Sequence, residues 1–376
     1  MMEQRPLWER YREQFPVTRN LVYLNHAAVA PLSRNAAEAM QGLAQNALEF
    51  GSNHYQDWMA CYAGLRSATA QMINATPEEI AIVKNTSEGI ATVANGIDWM
   101  VGDVVVAFEE EFPANVYPWK KLEARGVTVR WLSIFDDLDR IDEAVKGARL
   151  LAISYVQYLS GYRVDLDKIG EICQRRGCFF FVDAIQGLGA FPINVRSSHI
   201  DALAADGHKW LLGPEGCGVL YVRRELQDQI EPVEFGWTNV AKYADYASRD
   251  MGLRGDAGRY ECGTLNTIGC YGLRAAFDLL LEAGTKAVST AIQQLGDQIW
   301  DGATDAGFET LGKRSQETGA GIVCVRKQGV ESQLIVKKLK DAGFVAAPRQ
   351  GWVRLAPHFY ISPAEIDGLL QELKRF

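Results

Sequence analysis

The run Phe179-Phe180-Phe181-Val182-Asp183-Ala184-Ile185-Gln186 decides the fold of this chain. Its leading apolar residues do not alternate with polar ones, so as a strand it is buried on both faces. Such a strand belongs in a mostly parallel sheet covered by helices. The run closes on Asp183, a carboxylate at a strand end, where open α/β sheets bind their ligands. Downstream lies Ala205-Asp206-Gly207-His208-Lys209-Trp210-Leu211-Leu212-Gly213-Pro214. It sets Lys209 in apolar, glycine-flanked surroundings. There an unpaired ammonium is costly, and desolvation lowers its pKa towards that of a useful nucleophile.

Working outward, Ile80-Ala81-Ile82-Val83 and Val104-Val105-Val106-Ala107-Phe108 read as further strands, as do residues 127–132, 150–155 and 178–182. Helical patterns over 88–100, 114–124 and 166–176 alternate with them, which predicts an α/β fold with a mostly parallel central sheet. Residues 218–222 add an antiparallel element after the lysine. From about Tyr271 the pattern changes to helices over 273–283 and 287–303, a strand over 321–326 and a helix over 332–342. Asp341-Ala342-Gly343 is a helix-stop signal. Ser362-Pro363 opens a last helix, 363–376, with an N-cap and a proline at its first position. The expected division is an N-terminal segment 1–22, a large domain 23–270 and a small α+β domain 271–376.

The chain has 376 residues, 48% of them hydrophobic, enough for a large core and a second domain. Its net charge is −8 and no basic patch stands out, so neither nucleic acid nor an anionic membrane is an expected partner. Residues 1–15 are rich in charge and carry no apolar core of a signal peptide. No uncharged apolar stretch is long enough to span a bilayer. A cytoplasmic protein is expected. The seven cysteines form no CxxC pair and read as free thiols of a reducing compartment. The five histidines have no metal-binding spacing, so no metal is expected.

An amine and a strand-end carboxylate suit pyridoxal phosphate (PLP). That cofactor also needs a phenolate partner, a ring-stacking face and a phosphate cradle. Lys209 is the candidate Schiff-base amine. Asp183 is the candidate partner of the pyridinium nitrogen, keeping the ring an electron sink. Gln186 is placed to donate to the phenolate. Thr86 and Ser87, in Thr86-Ser87-Glu88-Gly89, follow a strand and open a helix, a natural phosphate site; His208 can add a donor. Phe112 follows the strand 104–108 and can stack on the ring. Taken singly, each has a plainer reading: a solvated lysine, helix caps at Asp183, Thr86 and Ser87, a loop amide, a core histidine and a packing phenylalanine.

Taken jointly and in order, these segments resemble the class V aminotransferase family, which includes cysteine desulfurases, selenocysteine lyases, isopenicillin N epimerases and kynureninases. The resemblance runs from about Tyr23 to Leu370. It rests also on Tyr23-Leu24-Asn25-His26-Ala27-Ala28, Phe112-Pro113-Ala114-Asn115, Arg259-Tyr260-Glu261-Cys262-Gly263-Thr264-Leu265-Asn266 and Val353-Arg354-Leu355-Ala356-Pro357-His358. It implies the fold type I architecture of PLP enzymes and a homodimer with shared active sites. In it, Lys209 and Asp183 are catalytic, and Thr86, Ser87, Phe112, Gln186 and His208 bind the cofactor. Thr264 reaches the phosphate of the neighbouring subunit. Arg354 binds the substrate carboxylate, with Asn25 and His26 lining the same end.

Two positions depart from the family pattern. The desulfurases resembled carry a nucleophilic cysteine shortly before the carboxylate-binding arginine, but residues 344–352 contain none, and Cys324 falls in an expected strand. Asp206 stands where many members have serine; a carboxylate beside phosphate is repelled, so it is expected to point to an arginine or a backbone amide. The implied activity is on an amino acid, by transamination or C–S/β-elimination. A racemase- or epimerase-like enzyme and a non-catalytic binding protein are the alternatives.

Overall fold

The computed structural model describes residues 5–376; residues 1–4 of the expected N-terminal segment lie outside them. Helix α1 (Leu7–Tyr11) and two 3₁₀ turns lead to strand β1 (Val22–Tyr23). Two long helices follow, α2 (Arg34–Phe50) and α3 (Tyr55–Ile73). The sequence pattern did not single them out. In α3 the buried positions include Ala68, Thr69 and Ala70, so its apolar stripe is faint.

The large sheet is then built in alternation. Its elements are β2 (Ile80–Val83), α4 (Thr86–Gly96), β3 (Val104–Phe108), α5 (Tyr117–Lys121), β4 (Thr128–Leu132), α6 (Leu138–Val145), β5 (Leu150–Ser154), α7 (Leu166–Arg176), β6 (Phe179–Asp183), β7 (Ala202–Asp206) and β8 (Gly218–Val222). The strand order is β2-β8-β7-β6-β5-β3-β4. Only β8 runs against its neighbours, β7 and β2, as its place after the lysine predicts. The helix expected over 114–124 is broken into α5 and flanking 3₁₀ turns, since Pro113 and Pro118 both remove backbone donors.

Strand β7 escaped the sequence reading. Ala202-Leu203-Ala204-Ala205-Asp206 has poor strand propensity, yet it is wholly buried between β6 and β8. Its small residues serve packing. A Cβ added at Gly89 of α4 would lie 2.7 Å from the Ala204 Cβ, so the glycine and the alanine together let α4 press onto the sheet. That approach sets the N-terminus of α4 beside the carboxyl ends of the strands.

After the sheet come α8 (Thr267–Ala283) and α9 (Thr285–Asp305), separated by Gly284 at φ 83°. The expected boundary between residues 270 and 271 falls inside α8, which packs along α2 and α3. The rest is β9 (Glu309–Thr310), β10 (Val323–Arg326), α10 (Ser332–Asp341), β11 (Phe344–Val345), β12 (Ala347–Arg349), β13 (Trp352–Leu355) and α11 (Pro363–Leu373). Strands β12-β13-β10-β9 form an antiparallel sheet, and β1 pairs with β11. The N-terminal segment is fastened to this part of the chain. The Phe15 ring stacks on Tyr360 at 3.7 Å, and Arg12 pairs with Glu365 at 2.7 Å.

Candidate active site

The carboxyl ends of the large sheet face the β12–β13 hairpin across a cleft of about 420 Å³. Its walls bring together Thr86, Ser87, Phe112, Asp183, Gln186, His208, Lys209 and Arg354, far apart in sequence and all singled out by it. A larger cavity, about 1050 Å³, lies near Asp136, Asp165 and Lys168, and none of the predicted site residues lines it.

Lys209 sits in the loop between β7 and β8. That loop is closed by Gly207 N donating to Cys217 O at 2.9 Å and Gly213 N to Gly207 O at 2.8 Å, and Ala30 N reaches in to His208 O at 2.7 Å. Burial pulls the Lys209 ammonium down to about 8, with the charges of Arg354 and Arg349 adding to the fall and Asp183 opposing it. The amine is therefore ready to lose its proton near neutral pH. Its Nζ lies 5.8 Å from the centre of the Phe112 ring, which is 48% exposed into the cleft.

Asp183 is 2% exposed and accepts from Ile185 N at 3.0 Å. Burial pushes its carboxyl up to about 6, against that hydrogen bond and the charge of Lys209. No ion pair compensates it among the described residues. A buried carboxylate in that state calls for a cationic N–H. Gln186 is clamped, its Oε1 accepting from Trp210 Nε1 at 2.8 Å and its Nε2 donating to Ala27 O at 3.0 Å. One amide N–H remains to donate. Thr86 Oγ1 accepts from Asp206 N at 2.9 Å, and Asn85 caps α4 by accepting from Glu88 N at 2.9 Å. The amides and hydroxyls of Thr86 and Ser87 thus stand at the positive end of an 11-residue helix.

The structure corrects several expectations. Asp206 turns to neither an arginine nor a backbone amide. Its Oδ2 lies 3.1 Å from His208 Nδ1, and its buried Oδ1 has no hydrogen-bond partner. His26 does not face the cleft. Its ring is buried, with Nδ1 2.7 Å from Ala356 O and Nε2 2.6 Å from the Tyr360 hydroxyl, and burial lowers it to about 4. It therefore stays neutral and holds the chain together. Asn25 bridges to Ala356 and is not on the cleft wall, although its buried Oδ1 has no partner. Thr264, expected to serve a neighbouring subunit and not its own cleft, is not among these corrections; it is exposed beside a separate cavity with Lys84 and Gly216.

Three residues at or next to the cleft went unassigned in the sequence. Tyr158 follows β5 at a strand end and lines the cleft. Its ring meets Phe112 edge-on at 5.4 Å, its carbonyl accepts from Arg354 Nη1 at 2.9 Å, and its hydroxyl accepts from Gln350 Nε2 at 2.8 Å. The strand-end rule could have found it. Glu111, just before Phe112, is buried and bonded to both the backbone N and the hydroxyl of Ser154, the residue paired with Asp183 across β5 and β6. Burial pushes its carboxyl up to about 8, with the charge of Asp183 contributing. It anchors the loop that carries Phe112. Arg349, on β12, also lines the cleft. Arg354 itself is 3% exposed, has a partnerless Nε, and is lowered to about 10 by burial and by the charge of Arg349.

PLP fits these residues. The uncompensated Asp183 would suit a pyridinium, the free Gln186 N–H a phenolate, the α4 N-terminus a phosphate and Lys209 an aldehyde. With these counterparts, the cleft has the chemistry of a fold type I PLP enzyme. Residues 22–351 match the family described as aminotransferase class-V. The chain belongs to that family. It is 29% identical over 370 residues to the uncharacterized aminotransferase YcbU of Bacillus subtilis, covering 97% of each chain. Its structure superposes on the apo cysteine desulfurase of Thermococcus onnurineus NA1 with TM-score 0.91 and 26% identity, covering 100% of this chain and 99% of that one. It superposes on the cystine C–S lyase C-DES, in complex with its product cysteine persulfide, with TM-score 0.89 and 26% identity, covering 96% and 100%.

Proposed function

We propose that this PLP-dependent enzyme acts on the α-amino group of an amino acid, by transamination or by C–S/β-elimination. The observation that carries the reading is the pairing, in one cleft, of a lysine lowered to about 8 with a buried strand-end carboxylate. When bound, PLP supplies the electron sink that weakens the bonds at the substrate Cα. Lys209 Nζ would hold the aldehyde, and its amine would move protons at the substrate Cα as general acid and base. Asp183 keeps the ring nitrogen protonated. Gln186 donates to the ring oxygen. Thr86, Ser87 and His208 hold the phosphate, and Phe112 covers the ring face. Arg354 grips the α-carboxylate through its fork.

The names of the relatives, an aminotransferase, a cysteine desulfurase and a C–S lyase, support both reaction types. Thr264, exposed and away from its own chain's cleft, is assigned to the phosphate site of a second copy. No helix of the described residues is long and apolar enough to cross a membrane. The cysteines are free, Cys217 and Cys270 included although their sulfurs are 3.8 Å apart, which supports a reducing cytoplasm. The test is borohydride reduction of the yellow protein, followed by peptide mapping. The label is expected on one peptide, that of Lys209. A panel of amino acids, scored for keto acid, pyruvate, ammonia and sulfide, then separates transamination from elimination. A label elsewhere, or none, overturns the reading.

A further inference from the structure

We infer that the cleft selects amino acids whose side chain ends in a second carboxylate, and that Arg349 is the residue that binds it. The inference rests on the amino-acid reading above and extends it to substrate class.

The geometry comes from the hairpin. Ala347 pairs with Arg354, and Arg349 with Trp352. Cross-strand partners and alternate residues share a face, so both arginines project from the same side of the hairpin. Both line the Lys209 cleft. The register is fixed by a two-residue turn, Gln350 at φ 48° and Gly351 at φ 82°, the positive pair that tight hairpins need. Gln350 Nε2 donates to the Tyr158 hydroxyl at 2.8 Å, which ties the tip to the opposite wall.

Charge supplies the second argument. Among the described residues neither arginine has a carboxylate partner. Arg349 Nη1 bonds only Pro348 O at 2.9 Å, and Arg354 Nη1 bonds Tyr158 O at 2.9 Å. An exposed arginine alone is an ordinary solvated charge. Here two guanidiniums share one wall of a cleft, and their repulsion helps to lower Arg354. The α-carboxylate satisfies one fork, and the buried one is Arg354. The phosphate is held across the cleft at α4. Arg349, nearer solvent on the same face, is left without an anion unless the substrate side chain brings one. The second carboxylate can belong to a dicarboxylic amino acid or to the far half of a disulfide-linked one.

The test uses the purified holoenzyme and probes that cannot react. Calorimetric titration with succinate and glutarate is compared with butyrate. The dicarboxylates are expected to bind at least roughly tenfold tighter at low salt, with the gap closing as salt rises. In Arg349→Gln the gap should shrink to about twofold, and Arg349→Lys should restore part of it. Retained cofactor absorption in each variant reports an intact fold. The ratios of kcat/KM for aspartate, glutamate and cystine to that for alanine then distinguish the two sources of the carboxylate. Equal binding of glutarate and butyrate overturns the inference, as does a preference that survives in Arg349→Gln. Amino-acid turnover without a dicarboxylate preference defeats the Arg349 inference alone. A preference that depends on Arg349 without turnover of any amino acid defeats the amino-acid reading alone.

Discussion

On the large-sheet wall of the cleft, Asp183, Gln186 and Thr86 are each fixed by a neighbour: Ile185 N, Trp210 Nε1 and Asp206 N. On the hairpin wall, Arg354 leaves its Nε without a partner and Arg349 bonds only the carbonyl of Pro348. The first wall stands on strand ends in a doubly covered sheet and is preorganised for a group that stays. The second stands on a short hairpin and keeps its donors free for a molecule that arrives and leaves. In the proposed reading function divides along the same line, with electronic control on the rigid side and selection on the other.

The sharpest way to break this division is Asp183→Ala. If the sheet wall controls the cofactor's electronics, kcat should fall by roughly three decades, since removing one buried charged partner costs on the order of 3–5 kcal/mol. The cofactor should still bind through Lys209 and the α4 end, which absorption spectra would record. A kcat within tenfold of the unaltered enzyme would remove Asp183 from the mechanism.

Next in size is Arg354→Ala. Losing one charge-assisted fork in a desolvated site costs on the order of 2–5 kcal/mol, so kcat/KM should drop by roughly two to three decades with the cofactor spectrum intact. Arg354→Lys should rescue poorly, because a point charge does not reproduce the planar fork. An Arg354→Ala enzyme that still prefers amino acids to the matching decarboxylated amines would overturn the division of labour.

The same contrast explains what the sequence made legible. The sheet wall is made of motifs at strand ends, where chain order dictates position, so Asp183, Lys209, Thr86 and Phe112 could be placed before any coordinates. β7 was lost because alanine serves there as a spacer under α4, a packing need that propensity does not encode. The hairpin wall depends on pairing between short strands, and nothing local says that Arg349 and Arg354 share a face. His26 was misplaced because a histidine beside a conspicuous motif reads the same whether it touches substrate or, as here, bonds Ala356 and Tyr360 in the core.

Glu111→Gln probes how the sheet wall is held. The folded protein keeps the Glu111 proton up to about 8, whereas an unfolded chain releases it near 4.5. Between those values the folded state binds more protons, so this group's contribution to stability declines as pH rises. The slope approaches about 1.4 kcal/mol per pH unit at its steepest. Glutamine can still accept from Ser154 and carries no titration. Urea unfolding of the apoprotein at pH 5.5 and pH 8 should therefore show a smaller loss for the variant than for the parent. Equal losses would mean that Glu111 is ionised in the fold.

The smallest effect is expected at Cys324, the one thiol next to the hairpin arginines. It pairs with Arg354 across β10 and β13, so the two side chains share a face. Proximity to two guanidiniums would ordinarily favour a thiolate. Burial wins instead: Cys324 is 0% exposed and its thiol is pushed up to about 12. At neutral pH the thiolate is then on the order of one part in 10⁵, too scarce to attack a substrate sulfur. Nor does the hairpin segment 344–352 supply another cysteine. Cys324→Ser should leave turnover within about twofold. It should lower stability by about 1–3 kcal/mol, because the new hydroxyl is buried in an apolar strand. Cys324→Ala separates the two effects, since it places no polar atom there. Loss of sulfide release in both variants, with the cofactor spectrum and thermal midpoint of Cys324→Ala preserved, would make Cys324 a nucleophile and move part of the chemistry onto the hairpin wall.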